Sequence, residues 1–119
     1  LNLGHTFGHA VEKLTGYGTY LHGEAVGIGI VMAADLSRRL GYLTAEDVIR
    51  VTNLVKAAGL PVRVEGLSAA EAYRAMQGDK KSVGGTIRFI VMTAVGKTVI
   101  ETADRALVFD VMHAVGWRS

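Results

Sequence analysis

The chain has 119 residues, half of them hydrophobic and a fifth charged, which suffices for one globular domain with its own core and excludes a disordered chain. Its formal net charge of +2 is too small an excess to predict a nucleic-acid-binding surface. The absence of cysteine excludes a disulfide framework and is compatible with a reducing cytoplasm. The most apolar run, Ala25 to Ala34, is about half as long as the roughly 20 residues that a membrane helix needs.

Two helices are predicted in the first third of the chain. The first covers roughly residues 3–14 and ends in the turn-rich segment TGYGTY. The second runs from His22 to about Leu40, with basic residues in its last turn and Gly41 as a stop signal. Because this segment is apolar on nearly all sides, we expect a helix around which the others pack.

Two further helices carry N-terminal capping signals. Thr44 is predicted to cap a helix that has Asp47 three residues on and Gly59 at its end. Ser68 and Glu71 form the pattern of a capping box at the start of the next helix.

The last third of the sequence changes in character. β-branched runs flank Val95-Gly96-Lys97, which predicts a hairpin over about residues 87–101. A final helix is expected over roughly residues 103–115, with Leu107, Val111 and Val115 on one face. The sequence therefore predicts a mainly α fold with one small antiparallel β-hairpin.

Three of the four histidines lie within the first 22 residues. His5 and His9 are four residues apart, so on a helix they lie about 40° apart on one face, a spacing that lets two imidazoles bind one metal. His22 lies at the start of the second helix and could supply a third ligand. A histidine pair at this spacing is more often a surface or packing coincidence than a metal site, and the pattern lacks the glutamate of an HExxH zinc-protease motif. His113, in the last helix, is expected to be a bystander.

The remaining motifs are weaker. Lys80 and Lys81 precede a glycine-rich turn that could hold a carboxylate or phosphate, although adjacent lysines are usually only solvated. The segment AVGK is too short for a phosphate-binding P-loop, and no GxGxxG follows a predicted strand. The chain therefore shows no dinucleotide-binding motif of its own.

Several segments, LNLGHTFGHAVE, LHGEAVGIGIVMAA, AGLP, DKKSVGGTIRFIV and AVGK, together resemble the C-terminal domain of 3-dehydroquinate synthase in order and spacing. The resemblance covers essentially the whole chain, residues 1–119, and its first two motifs are the specific ones. It implies a helical zinc- and substrate-binding domain. An N-terminal NAD-binding domain, with the active site in the cleft between the two, would lie outside this sequence.

The resemblance also implies roles for individual residues. His5 and His22 match the two histidine ligands of zinc (or cobalt), and the third ligand, a glutamate, would lie upstream. Asn2 matches a substrate-contacting asparagine, and His9 matches a histidine of the hydrogen-bonded network around the substrate. One of Lys80 and Lys81 matches a lysine that binds the anionic substrate.

The activity implied is the cyclisation of 3-deoxy-D-arabino-heptulosonate 7-phosphate to 3-dehydroquinate, a step of the shikimate pathway. NAD⁺ takes a hydride from a metal-polarised alcohol, phosphate is eliminated, the ketone is reduced again, and the ring closes by an aldol step. The implied setting is a cytoplasmic homodimer without nucleic-acid or membrane partners. The chain alone is expected to be inactive.

Other interpretations stay open on the sequence. Another sugar phosphate cyclase, of the valiolone or deoxy-inosose type, would share the fold, zinc and NAD⁺. A metal-dependent alcohol dehydrogenase such as glycerol dehydrogenase would give a net redox product. A helical interaction module without a metal would be insensitive to zinc and to loss of His5 or His22.

Overall fold

The computed structural model describes residues 3–15, 22–79, 87–94 and 97–118. Within these ranges the chain forms five helices and one two-stranded sheet. In chain order they are α1 (His5–Thr15), α2 (His22–Arg39), α3 (Ala45–Ala57), α4 (Ala69–Asp79), β1 (Arg88–Ala94), β2 (Lys97–Thr102) and α5 (Arg105–Ala114). The predicted mainly α fold with one antiparallel hairpin is confirmed.

Helix α2 is the centre of the fold. Helices α1, α3 and α5 and strand β1 all pack against it. Eleven of its residues are buried, among them Ile28, Met32 and Leu36, which are fully inaccessible to solvent. The prediction from its near-uniform hydrophobicity is therefore confirmed, since a helix covered on several sides cannot carry a polar face.

Local signals end and begin the helices as expected. The Thr44 hydroxyl accepts a hydrogen bond from the Asp47 N–H at 3.1 Å, and the Asp47 carboxylate accepts one from the Thr44 N–H at 3.0 Å. At the start of α4, the structure shows one half of the predicted capping box, a bond from the Glu71 N–H to the Ser68 hydroxyl at 3.3 Å. Gly41 follows α2 with a φ of 91°, a left-handed conformation that favours glycine.

Both terminal helices begin later than predicted. Helix α1 starts at His5, because Gly4 has a φ of 74° and lies outside the right-handed helical region. Helix α5 starts at Arg105 rather than near Ala103, because the Asp104 carboxylate accepts a hydrogen bond from the Leu107 N–H at 2.9 Å. An aspartate with this bond is an N-cap, which by definition precedes the first helical residue.

The hairpin joins the helices through β1. Its strands are antiparallel, with Val91 opposite Val99 and Phe89 opposite Glu101. Phe89 is buried and stacks on Phe7 of α1, with ring centroids 5.0 Å apart. Among the described residues, no helix is both long and apolar enough to span a bilayer.

Candidate metal and substrate site

Helices α1 and α2 approach each other backbone to backbone next to His5. A Cβ atom added to Gly4 would lie 2.5 Å from both the Gly29 carbonyl carbon and the Ile30 nitrogen. A Cβ on Gly29 would overlap the Gly4 carbonyl oxygen and lie 2.9 Å from the Gly8 nitrogen. Real Cβ atoms essentially never come that close to other atoms. The glycines of the sequence motif therefore fix the start of α1, and with it His5, directly against α2.

The rings of His5 and His9 are in contact. Their centroids lie 4.2 Å apart with an angle of 65° between the rings, an edge-to-face arrangement. His5 is partly buried, whereas His9 is exposed. The predicted common face is confirmed. The contact shows that the two side chains share one stripe of α1, and by itself it does not distinguish a metal pair from a stacked pair.

His22, the first residue of α2, is held by Glu12 of α1. The His22 Nδ1 and Glu12 Oε2 atoms lie 3.1 Å apart. The Glu12 side chain is only 12% exposed, whereas that of His22 is 66% exposed. Glu12 follows His5 by seven residues, two helical turns, so it lies on the same stripe as the two α1 histidines.

Sequence reasoning did not single out Glu12. The available signal was its spacing: in the segment HTFGHAVE, the two histidines and the glutamate occupy positions i, i+4 and i+7. That spacing predicts one stripe, but it cannot show that the carboxylate meets a histidine of another helix.

The donors present fit part of a metal site. The His22 ring is exposed, and with Nδ1 bonded to a carboxylate, its Nε2 is left open, which is the usual state of a zinc-binding imidazole. In residues 3–15, 22–79, 87–94 and 97–118, no three His, Cys, Asp or Glu side chains form a group that could hold a metal ion. Two imidazoles would thus need at least one ligand from elsewhere.

The other predicted site residues, Asn2, Lys80 and Lys81, lie outside the described residues. The described elements on either side of Lys80 and Lys81 both contact α1. Helix α4, which ends at Asp79, packs against α1. The carbonyl oxygen of Arg88, at the start of β1, is 3.5 Å from the hydroxyl of Thr6, the residue after His5.

The fourth histidine lies on a helix other than α1 and α2. His113 is exposed near the end of α5. Its ring makes an edge-to-face contact with the ring of Phe109, with the centroids 6.0 Å apart. The expectation that it is a surface bystander agrees with this position.

A concave surface lies toward the end of α2 that is opposite to His22. It is a cleft of about 340 Å³ lined by Asp35, Arg38, Arg39, Lys56 and Arg63, with several apolar side chains. The buried Asp35 carboxylate accepts bonds from both neighbouring arginines, at 2.9 Å and 3.0 Å. The ends of α2, α3 and α5 meet here, so the cations complement the negative ends of these helices. The helical rise between His22 and Asp35 is about 20 Å.

The fold matches about a third of the length of two solved chains. Solved structures of 2-deoxy-scyllo-inosose synthase match 96% of this chain, with TM-scores of 0.78 and 0.76 and sequence identities of 23% and 21%. One of them is described as complexed with carbaglucose-6-phosphate, NAD⁺ and Co²⁺. At this identity the match concerns the fold.

The sequence matches are more specific. A family model described as 3-dehydroquinate synthase C-terminal matches residues 1–82. Proteins named 3-dehydroquinate synthase are 55% identical over 100 residues in Acidithiobacillus ferrooxidans, 53% over 97 residues in Nitrosomonas europaea and 48% over 100 residues in Acinetobacter baumannii. The chain belongs to the 3-dehydroquinate synthase C-terminal family. Its aligned part spans 26–28% of the length of these relatives.

Proposed function

We propose that this chain is the metal- and substrate-binding part of a 3-dehydroquinate synthase. The observation that carries the proposal is the 48–55% identity, over 82–84% of the chain, to proteins named for that activity. The reaction is the cyclisation of 3-deoxy-D-arabino-heptulosonate 7-phosphate to 3-dehydroquinate with release of phosphate. The reaction is proposed to be a step of the shikimate pathway and to take place in the cytoplasm.

His5 and His22 are the proposed metal ligands in this chain. Both are imidazoles at the first residue of a helix, and α1 and α2 pack together. A glutamate from outside this sequence would complete the ligand set. When bound, zinc or cobalt would polarise the oxygen of a substrate hydroxyl group. This would favour transfer of a hydride to NAD⁺ from the carbon that carries the hydroxyl.

The chain's own polar side chains bind and orient the substrate. Asn2 and one of Lys80 and Lys81 contact its hydroxyl, carboxylate or phosphate oxygens, because amide and ammonium groups donate to such acceptors. His9 is exposed and in contact with the His5 ring, so it is available to hydrogen-bond the substrate beside the metal. There His9 orients the substrate and can pass protons to or from the substrate oxygens.

NAD⁺ is bound mainly by a preceding domain, since the sequence of this chain carries no GxGxxG motif after a strand. That domain is the chain's principal proposed partner, and the complete protein is proposed to be a homodimer. The substrate then lies between the NAD⁺-binding domain and the α1–α2 histidines.

A second candidate is a different sugar phosphate cyclase. The observation that favours it is the fold match to 2-deoxy-scyllo-inosose synthase with TM-scores up to 0.78. Its identity of 23% is less than half of that to the Acidithiobacillus protein, so the dehydroquinate reaction is the better-supported proposal.

Phosphate release by the complete protein, supplied with zinc and NAD⁺, tests the proposal. The substrates are 3-deoxy-D-arabino-heptulosonate 7-phosphate, sedoheptulose 7-phosphate and glucose 6-phosphate. We expect turnover of the first alone, lost in His22→Ala and retained in the matched variant His113→Ala. Turnover of either other substrate alone would assign a different cyclase, and release from none would exclude cyclase activity.

A further inference from the structure

We infer that Glu12 is a positioning residue that holds the His22 ring in its metal-binding orientation. The inference rests on the proposed function, since it takes His22 as a metal ligand. It assigns Glu12 a task that goes beyond linking α1 to α2, namely selecting which ring nitrogen of His22 faces the metal.

The hydrogen bond defines the tautomer. A carboxylate only accepts hydrogen bonds, so the 3.1 Å contact between Glu12 Oε2 and His22 Nδ1 requires the proton of a neutral ring to be on Nδ1. The lone pair is then on Nε2, the opposite side of the ring. A second partner that fixes both tautomer and ring orientation is the common arrangement of metal-binding histidines.

The side chains of Glu12 and His22 differ in how deeply they are buried. Glu12 is the inner member, with a side chain 12% exposed and apolar neighbours Ala10 and Val11 that are buried in the core. His22 is the outer member, 66% exposed. A buried carboxylate is costly unless it is hydrogen-bonded, so Glu12 is held inward and its partner ring presents Nε2 outward.

The same stripe of α1 carries the other proposed ligand. Glu12 follows His5 by seven residues, so the two side chains point about 20° apart around the helix axis. Helix α1 therefore supplies one ligand directly through His5 and orients the second, His22, through Glu12. Both functions depend on the packing of α1 along α2.

The test is made on the complete protein with three variants. Glu12→Gln keeps the size of the side chain but removes its charge, Glu65→Gln is a matched change at an exposed glutamate, and His22→Ala removes the ligand. Zinc affinity is measured by competition with a chromophoric chelator. The visible spectrum of the Co²⁺-loaded protein reports ligand geometry independently of turnover.

A second measurement needs no metal, and its main result comes from the wild-type protein. In metal-free wild-type protein labelled with ¹⁵N-histidine, the ring nitrogen shifts of His22 show which nitrogen carries the proton. The measurement is made on the neutral ring, which carries its single proton on one nitrogen or the other. We expect the proton on Nδ1, and in Glu12→Gln a shift of the population toward the Nε2–H tautomer.

The expected result is a 10- to 100-fold loss of zinc affinity in Glu12→Gln, a changed Co²⁺ spectrum, and wild-type behaviour in Glu65→Gln. Loss of zinc in His22→Ala with wild-type affinity in Glu12→Gln would overturn the inference and leave the proposed function standing. A wild-type His22 ring protonated on Nε2 would overturn it as well. Unchanged zinc binding in His22→Ala would reject both the inference and the ligand role on which it rests.

Discussion

Gly4 and Gly29 touch through their backbones where α1 meets α2, and neither position has room for a Cβ atom. The contact lies one residue before His5 and seven residues after His22. It therefore sets how the two helices that carry the proposed metal ligands approach each other. Both glycines belong to the motifs by which the sequence resembles its family, and their backbone contact gives a physical reason for glycine at both positions.

Gly29→Ala should lower the free energy of unfolding by about 1–3 kcal/mol, the usual cost of an added group in a packed interior. The new methyl group would overlap the Gly4 carbonyl, so the start of α1 must move. Urea unfolding of this chain measures the loss. In the complete protein, zinc affinity should fall as well, because His5 moves with Gly4.

The matched control for that prediction is Gly23→Ala. Gly23 is in the same helix, and a Cβ atom there would meet nothing within 4 Å. Alanine should stabilise the helix by about 0.5–1 kcal/mol because it reduces the freedom of the unfolded chain. Equal destabilisation by both substitutions would show that helix propensity, rather than the contact with Gly4, governs the effect.

Ser37→Ala should destabilise the chain by about 1–3 kcal/mol, the cost of leaving a buried donor without a partner. The buried Ser37 hydroxyl donates to the Ala33 carbonyl at 2.6 Å and accepts from the Met92 N–H at 2.9 Å. It thereby joins α2 to β1. Urea unfolding measures the effect, and amide exchange at Met92 should become faster.

Thr52→Ala is the matched change for Ser37→Ala. The Thr52 hydroxyl makes the same kind of bond, to the Val48 carbonyl at 2.8 Å, but within the partly exposed face of α3. Because this bond does not satisfy a buried N–H of another element, we expect the free energy of unfolding to change by no more than about 0.5 kcal/mol. A loss as large as that of Ser37→Ala would contradict the bridging role of Ser37.

The capping box of α3 should make stability depend on acid pH. Hydrogen bonds from the backbone and side chain of Thr44 lower the pKa of Asp47 below its ordinary value of 3.8. A lowered pKa means that the folded chain binds the proton less readily than the unfolded chain does. The stabilisation by Asp47 is therefore complete at pH values above the ordinary pKa of 3.8. It is lost as the pH falls through the lower pKa of the folded state.

Asp47→Asn removes the titrating group but keeps an oxygen that can accept from the Thr44 N–H. Urea midpoints measured from neutral pH down to pH 3 or below, about one unit under the ordinary aspartate pKa, should fall less steeply for this variant than for the wild type. The uncharged change Thr52→Ala, in the same helix but outside the capping box, should follow the wild-type slope. Identical slopes for wild type and Asp47→Asn would refute the contribution of this carboxylate.

Much of the fold was predictable because its signals are local. The Thr44–Asp47 capping box, the stop at Gly41 and the hairpin around residues 95–97 each depend on residues a few positions apart. The start of α5 was predicted two residues too early, since the apolar pattern extends to Ala103 while the cap is Asp104. Periodicity marks a helix better than it marks the first residue of a helix.

The site was predictable only in part, because its decisive contacts are not local. The spacing of His5 and His9 correctly predicted a shared face, and their ring contact confirms it. The bond between Glu12 and His22 joins two helices across residues 16–21, and no periodicity reveals such a pair. The assignment of His22 as a ligand came from the family resemblance and stays a prediction.

By itself, the 119-residue chain should bind zinc weakly and release no phosphate from 3-deoxy-D-arabino-heptulosonate 7-phosphate. It offers two proposed imidazole ligands, whereas a catalytic zinc site usually has three protein ligands, and NAD⁺ binding is assigned to another domain. Chelator competition and a phosphate-release assay with NAD⁺ measure both properties beside the complete protein. His22→Ala should abolish the weak zinc binding of the chain, and His113→Ala should leave it unchanged. Zinc binding by the chain as tight as in the complete protein would show that the ligand set is complete within it, and NAD⁺-dependent turnover would place the whole active site there.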